Sequence, residues 1–476
     1  MIYFADMGKS PPVAFLLALF LLAIAVSGFG WHVTKNRWAN WDIGIDTAMW
    51  SQAFHQAQQG DGFRFTCYAD HAGGRKTESR SYLSMHFTLT LWPLSWLFNL
   101  VPHPLILFAV LHLAFGLGTI LIGLLAYSTL GREPWTAFAL ALGFALYPPN
   151  LLSQTTYDFN PRHLALVFLP LAGLAQAWKS DAFFIGALVL LSIGEENLAI
   201  LSAFALFGRA VLEPERRRLF SMAGVLFVLY AVIVLKTVMP AFLAPGWEIH
   251  FQARYRYILE SPLQAVFRLF GADQVRYLVW LVFPLLLTPL FAANAWLAAT
   301  LPFLAQNLLS PFEDTRMIGH HYTTPLAVCL FLAGMANLAG LEERLRRRLA
   351  ILLATSCLAL CLTVFPSLSW LWEGADPRVE ELGANLAPLE RLIPENVSLS
   401  APPAVCAQFW KRRQLWYFPQ GSDIAEWVVF PRYSIGYPSI SAIELESRLH
   451  GILRGGRHTL VLENPDILVF QKHSVP

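Results

Sequence analysis

Long apolar runs are the feature that most restricts how this chain can fold. A helix needs about 20 mostly apolar residues to cross the roughly 30 Å hydrocarbon core of a bilayer, and about eleven runs of the 476-residue chain approach that length. Charged residues make up only 14% of the chain, against about 25% in soluble domains. The sequence therefore predicts an all-α polytopic membrane protein. The candidate spans are Pro12–Gly30, Leu105–Leu130, Trp135–Pro149, His163–Trp178, Asp181–Gly194, Leu198–Leu212, Leu219–Val238, Tyr277–Phe291, Ala295–Ser310, Tyr322–Gly340 and Ala350–Pro366.

The remaining composition excludes other classes of protein. The net charge is +2, so no nucleic-acid partner is indicated. The five cysteines lack the spacing of metal ligands, and Cys357 and Cys361, within an apolar run, are typical of packing residues. The first apolar run has no clear small-x-small cleavage site and is followed by more runs. It is therefore predicted to be a retained first helix rather than a signal peptide.

Basic loops predict the orientation, because lysine and arginine concentrate on the cytoplasmic side of membrane proteins. They comprise Arg132, Lys179, the EPERRR run at 213–218 and the EERLRRR run at 342–348. The apolar segment Met85–Val101 decides their side. If it spans the membrane, all these loops lie outside; if it lies in the outer interface, all lie inside. Its short length and central Pro93 favour an interfacial helix, which places the N-terminus and the basic loops inside.

The domain division follows from where the apolar runs end. Residues 1–369 form the predicted transmembrane domain, whose first outer loop, 31–101, carries juxtamembrane helices. In residues 370–476, helical periodicity at 377–392 precedes five short β-like runs, VSLSA, LWYFP, WVVFP, HTLVLE and DILVFQ. These runs predict a small extracytoplasmic α/β domain that serves for binding or stabilisation. No internal repeat is visible, which argues against an inverted-repeat transporter.

Ionisable side chains that interrupt apolar sequence fall mainly on the predicted outer side. Such groups are costly near hydrocarbon and by default mark pathways or sites. They lie in the motifs WDIGIDTAMW, MHFTLTLWPL, TYDFNPRH, IGEENLA, HFQARYRY and EDTRMIGHHYTTP. The candidate site residues in these motifs are Asp42, Asp46, His86, Asp158, Arg162, His163, Glu195, Glu196, Arg254, Arg256, His320, His321 and Tyr322.

The chain resembles a known membrane family in several of these motifs. The blocks WDIGIDTAMW, HFTLTLWPL, YDFNPRHLAL, GEENLAIL, KTVMPAF and HHYTTPL are similar, in matching order from about Trp41 to Leu341, to blocks of a bacterial and archaeal family of unknown function. That family is grouped with the GT-C superfamily, integral-membrane glycosyltransferases that take sugars from polyprenyl-phosphate carriers. The resemblance implies a GT-C-like fold and this class of activity.

The resemblance also implies roles for the carboxylates. Asp42 matches the first-loop acid that acts as general base in GT-C enzymes, Asp158 matches the acid of the second outer loop, and Asp46 is expected to contribute less. His86 matches a histidine that the family often precedes with an acid, where this chain has Met85. GT-C enzymes often have adjacent acids, whereas three residues separate the two acids of the first loop here. A divalent metal thus stays open as a cofactor, but the spacing does not support one and no metal ligand is assigned.

The chemistry of sugar transfer explains the expected binding residues. An inverting transfer needs a base for the acceptor hydroxyl and cations or hydrogen-bond donors for the departing phosphate. Arg254 and Arg256 are the expected phosphate clamps, because guanidinium binds phosphate in a bidentate fork, although both would also suit lipid headgroups. Both arginines would share a side if this segment is extended, whereas on a helix only one could face a cavity. His320, His321 and Tyr322 are expected to complete the clamp or to position the acceptor. Adjacent helical histidines point apart, which argues against a metal pair.

Structural roles remain open for the other candidates. Asp42 and Asp46 would suit the start of a helix, where a carboxylate caps free amides and favours the helix dipole. Asp158 would suit a turn before a proline-led helix. Glu195–Glu196, in a very short turn between apolar runs, would suit a structural pair with an arginine.

These observations predict a membrane glycosyltransferase of a bacterial inner membrane. Its partners would be a polyprenyl-phosphate-linked sugar, the lipid bilayer and an extracytoplasmic acceptor glycan, lipid or protein. The alternatives are a transporter or flippase of a lipid-linked or anionic solute, and a scaffold that presents the C-terminal domain. A transporter should carry charged groups near the midplane of broken helices, and a scaffold leaves the outer acids unexplained.

We predict an inside N-terminus and an outside C-terminal domain, because this orientation keeps every basic loop inside. A thiol introduced near Gly421 should react with a membrane-impermeant reagent added to intact cells. A thiol introduced near Glu215 should react only after the membrane is opened. The opposite pattern of labelling would move the candidate residues to the cytoplasmic side.

Overall fold

A helical bundle joined to a small mixed sheet is formed by residues 10–67, 78–244, 247–364, 377–433 and 440–473, which the computed structural model describes. The helices of the bundle are α1 (Val13–Ala39), α2 (Ile45–Gln58), α3 (Leu91–Leu100), α4 (Leu105–Thr129), α5 (Pro134–Ala145), α6 (Pro148–Thr156), α7 (Ala165–Ala177), α8 (Asp181–Ser192), α9 (Glu196–Leu212), α10 (Arg217–Ile233), α11 (His250–Glu260), α12 (Pro262–Arg268), α13 (Ala272–Val282), α14 (Ala295–Leu309), α15 (Thr324–Ala339) and α16 (Glu343–Val364). The predicted helical class is confirmed.

Fewer helices than expected are long enough to cross a membrane. Within the described residues, three helical stretches are long and apolar enough: Val13–Ala39, Leu105–Thr129 and Pro214–Phe242. The helices α5 and α6, bent by 46° at their junction, give a fourth if the pair is one span. The expected count of about eleven is therefore not confirmed. Several other apolar runs form shorter helices, such as α8, α14 and α15.

The centre of the bundle is α4, which packs against α1, α5 and α7. Its glycines permit close approach: a Cβ at Gly118 would lie 2.3 Å from the carbonyl oxygen of Leu166 in α7, and one at Gly116 would lie 2.3 Å from the Ser27 hydroxyl of α1. Small residues at helix contacts are typical of membrane bundles, where packing rather than water exclusion drives association. This core fixes the helix ends that carry the polar motifs.

The described part of the loop between α1 and α4 folds as two short helices and a small strand pair. The segment Met85–Val101 contains only α3, ten residues long, which at 1.5 Å per residue is about 15 Å and too short to span a bilayer. Its Trp92 and Trp96 side chains are exposed, as expected for a helix in the membrane interface. Strands β1 (Arg64–Phe65) and β2 (Arg80–Ser81) pair antiparallel between α2 and α3.

The C-terminal segment forms the predicted small α/β domain. Its elements are α17 (Pro377–Leu386), α18 (Leu389–Leu392), β3 (Leu399–Ala401), α19 (Pro403–Gln408), β4 (Leu415–Tyr417), β5 (Trp427–Pro431), α20 (Ala442–Arg454), β6 (His458–Glu463) and β7 (Ile467–Lys472). The strand order is β4-β3-β5-β7-β6, with β3 parallel to both of its neighbours and the other pairs antiparallel. All five predicted β-like runs are strands.

One apolar core joins this domain to the loop between α1 and α4. Buried side chains of the loop, including Trp41, Phe54 and Phe98, belong to the same cluster as Leu389 and Trp410 of the C-terminal domain. Residues more than 300 positions apart in the chain therefore fold together. The C-terminal domain is consequently packed directly on the helix that carries Asp46.

Candidate active site

The start of α2 is fixed by the buried carboxylate of Asp158. Its two oxygens accept hydrogen bonds from the backbone amides of Gly44 (3.0 Å) and Thr47 (2.9 Å), which are amides that a helix start leaves unpaired. A Cβ at Gly44 would lie only 3.0 Å from this carboxylate, so glycine permits the approach. The Arg37 guanidinium lies 3.7 Å away and supplies the opposite charge. Asp158, an expected catalytic acid, thus acts here as a cap for α2.

Asp42, the expected general base, lies at the edge of this arrangement. Its side chain is 60% exposed and is paired with Arg37 at 3.3 Å. The Arg37 side chain is itself buried and also donates to the carbonyl oxygens of Thr155 and Tyr157. Asp42 does not line the cavity described below, so the geometry does not support the role that the family resemblance implies for it.

Asp46, unlike Asp42, lines a cavity, which Asp314 also lines, although Asp46 was expected to contribute less. It lies in the first turn of α2, is 7% exposed, and accepts hydrogen bonds from the Tyr157 hydroxyl (3.3 Å) and the Asn160 amide (3.5 Å). Burial, followed by repulsion from Asp158, raises the pKa of Asp46 to about 7. A carboxyl group with a pKa near neutrality is suited to take up and release a proton.

A cationic and aromatic wall lines the same cavity. Arg254, in α11, is 7% exposed and donates to the Tyr322 hydroxyl at 3.2 Å. His320 and His321 are 8% and 5% exposed, and in the part of the chain that the structure describes their Nδ1 atoms are buried without a hydrogen-bond partner. Burial, followed by nearby positive charges, lowers the pKa of both imidazoles well below the ordinary value. Both histidines are therefore neutral and able to take a polar group of a ligand.

Arg256 is not part of this wall. Its side chain is about half exposed and is paired with Glu248 at 2.5 Å. Arg254 and Arg256 are two residues apart in α11, which corresponds to a rotation of about 200° about the helix axis. Their side chains therefore point in nearly opposite directions. Only one of the two arginines can therefore face the cavity, and Arg254 is the one that lines it.

A buried charged cluster supports the wall from behind. Arg162 holds both oxygens of Glu195 in a bidentate pair, with 2.6 Å from Nη2 to Oε1. Its guanidinium lies 4.4 Å from the Tyr322 ring centre, within cation–π range. His86 lies 2.5 Å from Glu195 and 3.0 Å from Glu196. Glu195 is thus paired with an arginine, whereas Glu196 contacts His86 and accepts from the Phe87 backbone amide. Of His86, Arg162 and the two glutamates, only His86 lines the cavity.

The same cluster has the spacing of a metal site, but its positive and negative side chains already neutralise one another. His86, Glu195 and Glu196 each present a ligand atom within 4.8 Å of the other two. Burial lowers the pKa of His86, but the two carboxylates outweigh it and raise the pKa to about 9. Imidazolium and guanidinium together offset two carboxylates, and a metal would have to displace the His86 proton. The charges of this donor set are therefore balanced without a metal.

The cavity of about 60 Å³ also contains residues that were not predicted. The predicted residue His163 does not line the cavity. Its imidazole is hydrogen-bonded to the Ser153 hydroxyl and to the backbone amide of Asn160. The full set of lining residues is Ile45, Asp46, Met49, Tyr82, Met85, His86, Tyr157, Asn160, Arg254, Asp314, His320, His321, Tyr322 and Tyr417. Tyr157, Asn160 and Asp314 belong to motifs that the sequence had already marked. Tyr417, from the C-terminal domain, had no signal in the sequence.

Fold and site together define a polytopic membrane protein with a polar cavity where its bundle meets its C-terminal domain. Residues 41–431 match the family model described as "Predicted membrane protein (DUF2079)". The chain belongs to this family, which confirms the family resemblance of the sequence motifs. No curated protein matches the chain.

Among solved structures, the chain is similar to the crystal structure of ArnT from Cupriavidus metallidurans bound to undecaprenyl phosphate. The two chains are 12% identical and have a TM-score of 0.51, and the comparison covers 96% of this chain and 98% of the other. At this identity the likeness shows that the two chains share a fold. It assigns no activity to this chain.

We predict that Asp46→Asn raises thermal stability at pH 8 more than at pH 5. A carboxyl whose folded-state pKa is raised makes the fold less stable as pH rises from about 4 to about 7, because the unfolded chain loses the proton first. Three pKa units correspond to at most about 4 kcal/mol, and asparagine avoids this cost. Melting temperatures of the purified protein in detergent at both pH values measure the difference. Asp423→Asn, at an exposed position, is the control; equal shifts for both variants would contradict the prediction.

Proposed function

We propose that this protein is a membrane glycosyltransferase that moves a sugar from a polyprenyl-phosphate donor to a hydroxyl group of an extracytoplasmic acceptor. The observation that carries the proposal is the pairing, in one buried cavity, of a carboxyl group with a pKa near 7 and a guanidinium group. A base for the nucleophile and a cation for the leaving group are the two parts that sugar transfer from a phosphate needs. The related fold of ArnT, bound to undecaprenyl phosphate, supports the lipid donor.

The acceptor hydroxyl fits between Asp46 and His321. The Oδ2 atom of Asp46 and the Nδ1 atom of His321 are 3.8 Å apart, too far for a direct hydrogen bond. A hydroxyl oxygen about 2.8 Å from each atom would bridge them with ordinary hydrogen bonds. It would donate a hydrogen bond to Asp46 and accept one from the protonated Nδ1 of the neutral imidazole, which leaves its second lone pair for the attack.

The proposed transfer is a displacement at the anomeric carbon of the donor sugar. The acceptor oxygen forms a bond to the anomeric carbon while the bond from that carbon to the phosphate oxygen breaks. Asp46 takes the hydroxyl proton, and the electron pair of the broken bond stays with the polyprenyl phosphate. Arg254 supplies positive charge for that phosphate, and the Tyr322 hydroxyl to which it is bonded orients it. Water entering the same position would hydrolyse the donor as a side reaction.

The first test of this function is the pair Asp46→Asn and Asp42→Asn. We expect Asp46→Asn to lower transfer by about 10²–10⁴-fold, the usual contribution of a general base, and Asp42→Asn to stay within about threefold of wild type. The measurement is transfer of label from radiolabelled undecaprenyl-phosphate sugars in reconstituted vesicles with a native membrane extract as acceptor. Wild-type transfer should also rise as pH increases through about 7, as Asp46 loses its proton. Full activity of Asp46→Asn would remove the assigned base.

The second test concerns the donor phosphate. We expect Arg254→Ala to weaken binding of undecaprenyl phosphate about ten- to a hundred-fold, since a charge-assisted hydrogen bond is worth about 1.5–3 kcal/mol. Arg256→Ala, at the exposed position on the same helix, is the matched control and should bind like wild type. Arg254→Lys should restore part of the loss, because it keeps the charge but not the fork.

The measurement is the affinity of purified variants for undecaprenyl phosphate in detergent at fixed salt. Equal affinities for Arg254→Ala, Arg256→Ala and wild type would rule out α11 as the phosphate clamp. Phosphate binding that depends on Arg254 in a protein without sugar turnover would instead favour the transporter or flippase alternative.

A further inference from the structure

The C-terminal domain reaches into the cavity through one side chain. Tyr417, at the end of β4, is 2% exposed and is a lining residue of the cavity. Its hydroxyl donates a hydrogen bond to the carbonyl oxygen of Ile45. Ile45 is the first residue of α2 and directly precedes Asp46. The bond therefore holds the peptide group that joins Ile45 to Asp46, the proposed general base.

A second contact holds the middle of the same helix. The amide nitrogen of Gln52 donates to the Thr66 hydroxyl (3.0 Å) and to the Arg412 carbonyl (2.9 Å). Its amide oxygen accepts from the backbone amides of Thr66 (2.8 Å) and Cys67 (3.2 Å). Thr66 in turn exchanges two hydrogen bonds with Leu415, at the start of β4. Strand β4 is thus bonded to α2 at its start through Tyr417 and, through Thr66, near its middle.

We infer that the C-terminal domain forms part of the active-site wall and that its Tyr417 is a positioning residue for Asp46. The inference rests on the proposed function and adds a residue and a domain to it. Asp46 has to stay within hydrogen-bonding distance of a hydroxyl that His321 also contacts. Its present partners, Tyr157 and Asn160, hold it only by long bonds of 3.3 and 3.5 Å.

The geometry explains why the backbone anchor matters. A misplacement of about 1 Å can lower a catalysed rate about 10²-fold, and long side-chain bonds do not prevent such a shift. Asp158 fixes the amides of Gly44 and Thr47 on one side of the first turn, and Tyr417 fixes the intervening carbonyl from the other. The first turn of α2 is therefore held by the membrane domain and by the C-terminal domain together.

The test compares Tyr417→Phe with Tyr433→Phe. Each variant removes one hydroxyl from the C-terminal domain; that of Tyr433 donates to Asp466 at 2.5 Å and lies outside the cavity lining. Four quantities are measured on the full-length protein: the melting temperature, the affinity for undecaprenyl phosphate, the kcat of sugar transfer, and amide hydrogen exchange at residues 45–49.

We expect Tyr417→Phe to lower kcat about 10- to 100-fold and to speed exchange at residues 45–49, with phosphate affinity within twofold of wild type. Tyr433→Phe should leave kcat and this exchange unchanged. Unchanged kcat and exchange in Tyr417→Phe would overturn the inference, and so would a loss that only parallels a fall in melting temperature. If wild type transfers no sugar, the proposed function fails, and exchange at residues 45–49 still decides whether Tyr417 holds α2.

Discussion

The capping of α2 by Asp158 is the interaction on which the rest of the site depends. The carboxylate accepts two backbone amides and is accompanied by Arg37, so a buried charge is satisfied where an unpaired one would be expensive. The cap sets the direction of α2 and hence the position of Asp46 in its first turn. It also places a carboxylate near Asp46, and its repulsion adds to burial in raising the Asp46 pKa. Asp158 thus both positions Asp46 and contributes to its raised pKa. Different environments separate the pKa values of paired acids in other active sites in the same way.

The cationic and aromatic wall of the cavity is held in place by contacts among buried side chains. Glu195 holds Arg162, Arg162 lies against the Tyr322 ring, and the Tyr322 hydroxyl accepts from Arg254. These contacts join the turn between α8 and α9 to the loop before α15 and to α11. Polar groups that are already oriented need little rearrangement when charge develops on a ligand, which is the basis of electrostatic preorganisation. The buried cluster that was first considered as a set of binding residues is better described as the support of this wall.

Local patterns predicted the local parts of this structure well. The five β-like runs are the five strands of the C-terminal sheet, and the short proline-containing segment Met85–Val101 holds a helix too short to span. The helix-start alternative for Asp46 also describes its position, yet the sequence ranked Asp42 above it, because a motif does not show which acid is buried. The partners of His86 are about 110 positions away, and Tyr417 is 372 positions from Ile45. Such contacts depend on tertiary packing and have no periodicity or spacing that could reveal them.

Charge balance in the cavity connects these features to the proposed reaction. A carboxylate and a lipid phosphodiester in one small cavity repel each other, and burial increases that cost. As Asp46 takes the acceptor proton it becomes neutral, while the departing phosphate gains the negative charge of the broken bond. The total charge in the cavity therefore stays constant, and the step moves one negative charge from the side of Asp46 to the side of Arg254. Burial and Asp158 make that charge unfavourable at its origin, and Arg254 stabilises it at its destination. The two halves of the cavity act on the same charge, which is why the position of α2 between the bundle and the C-terminal domain matters for the whole site.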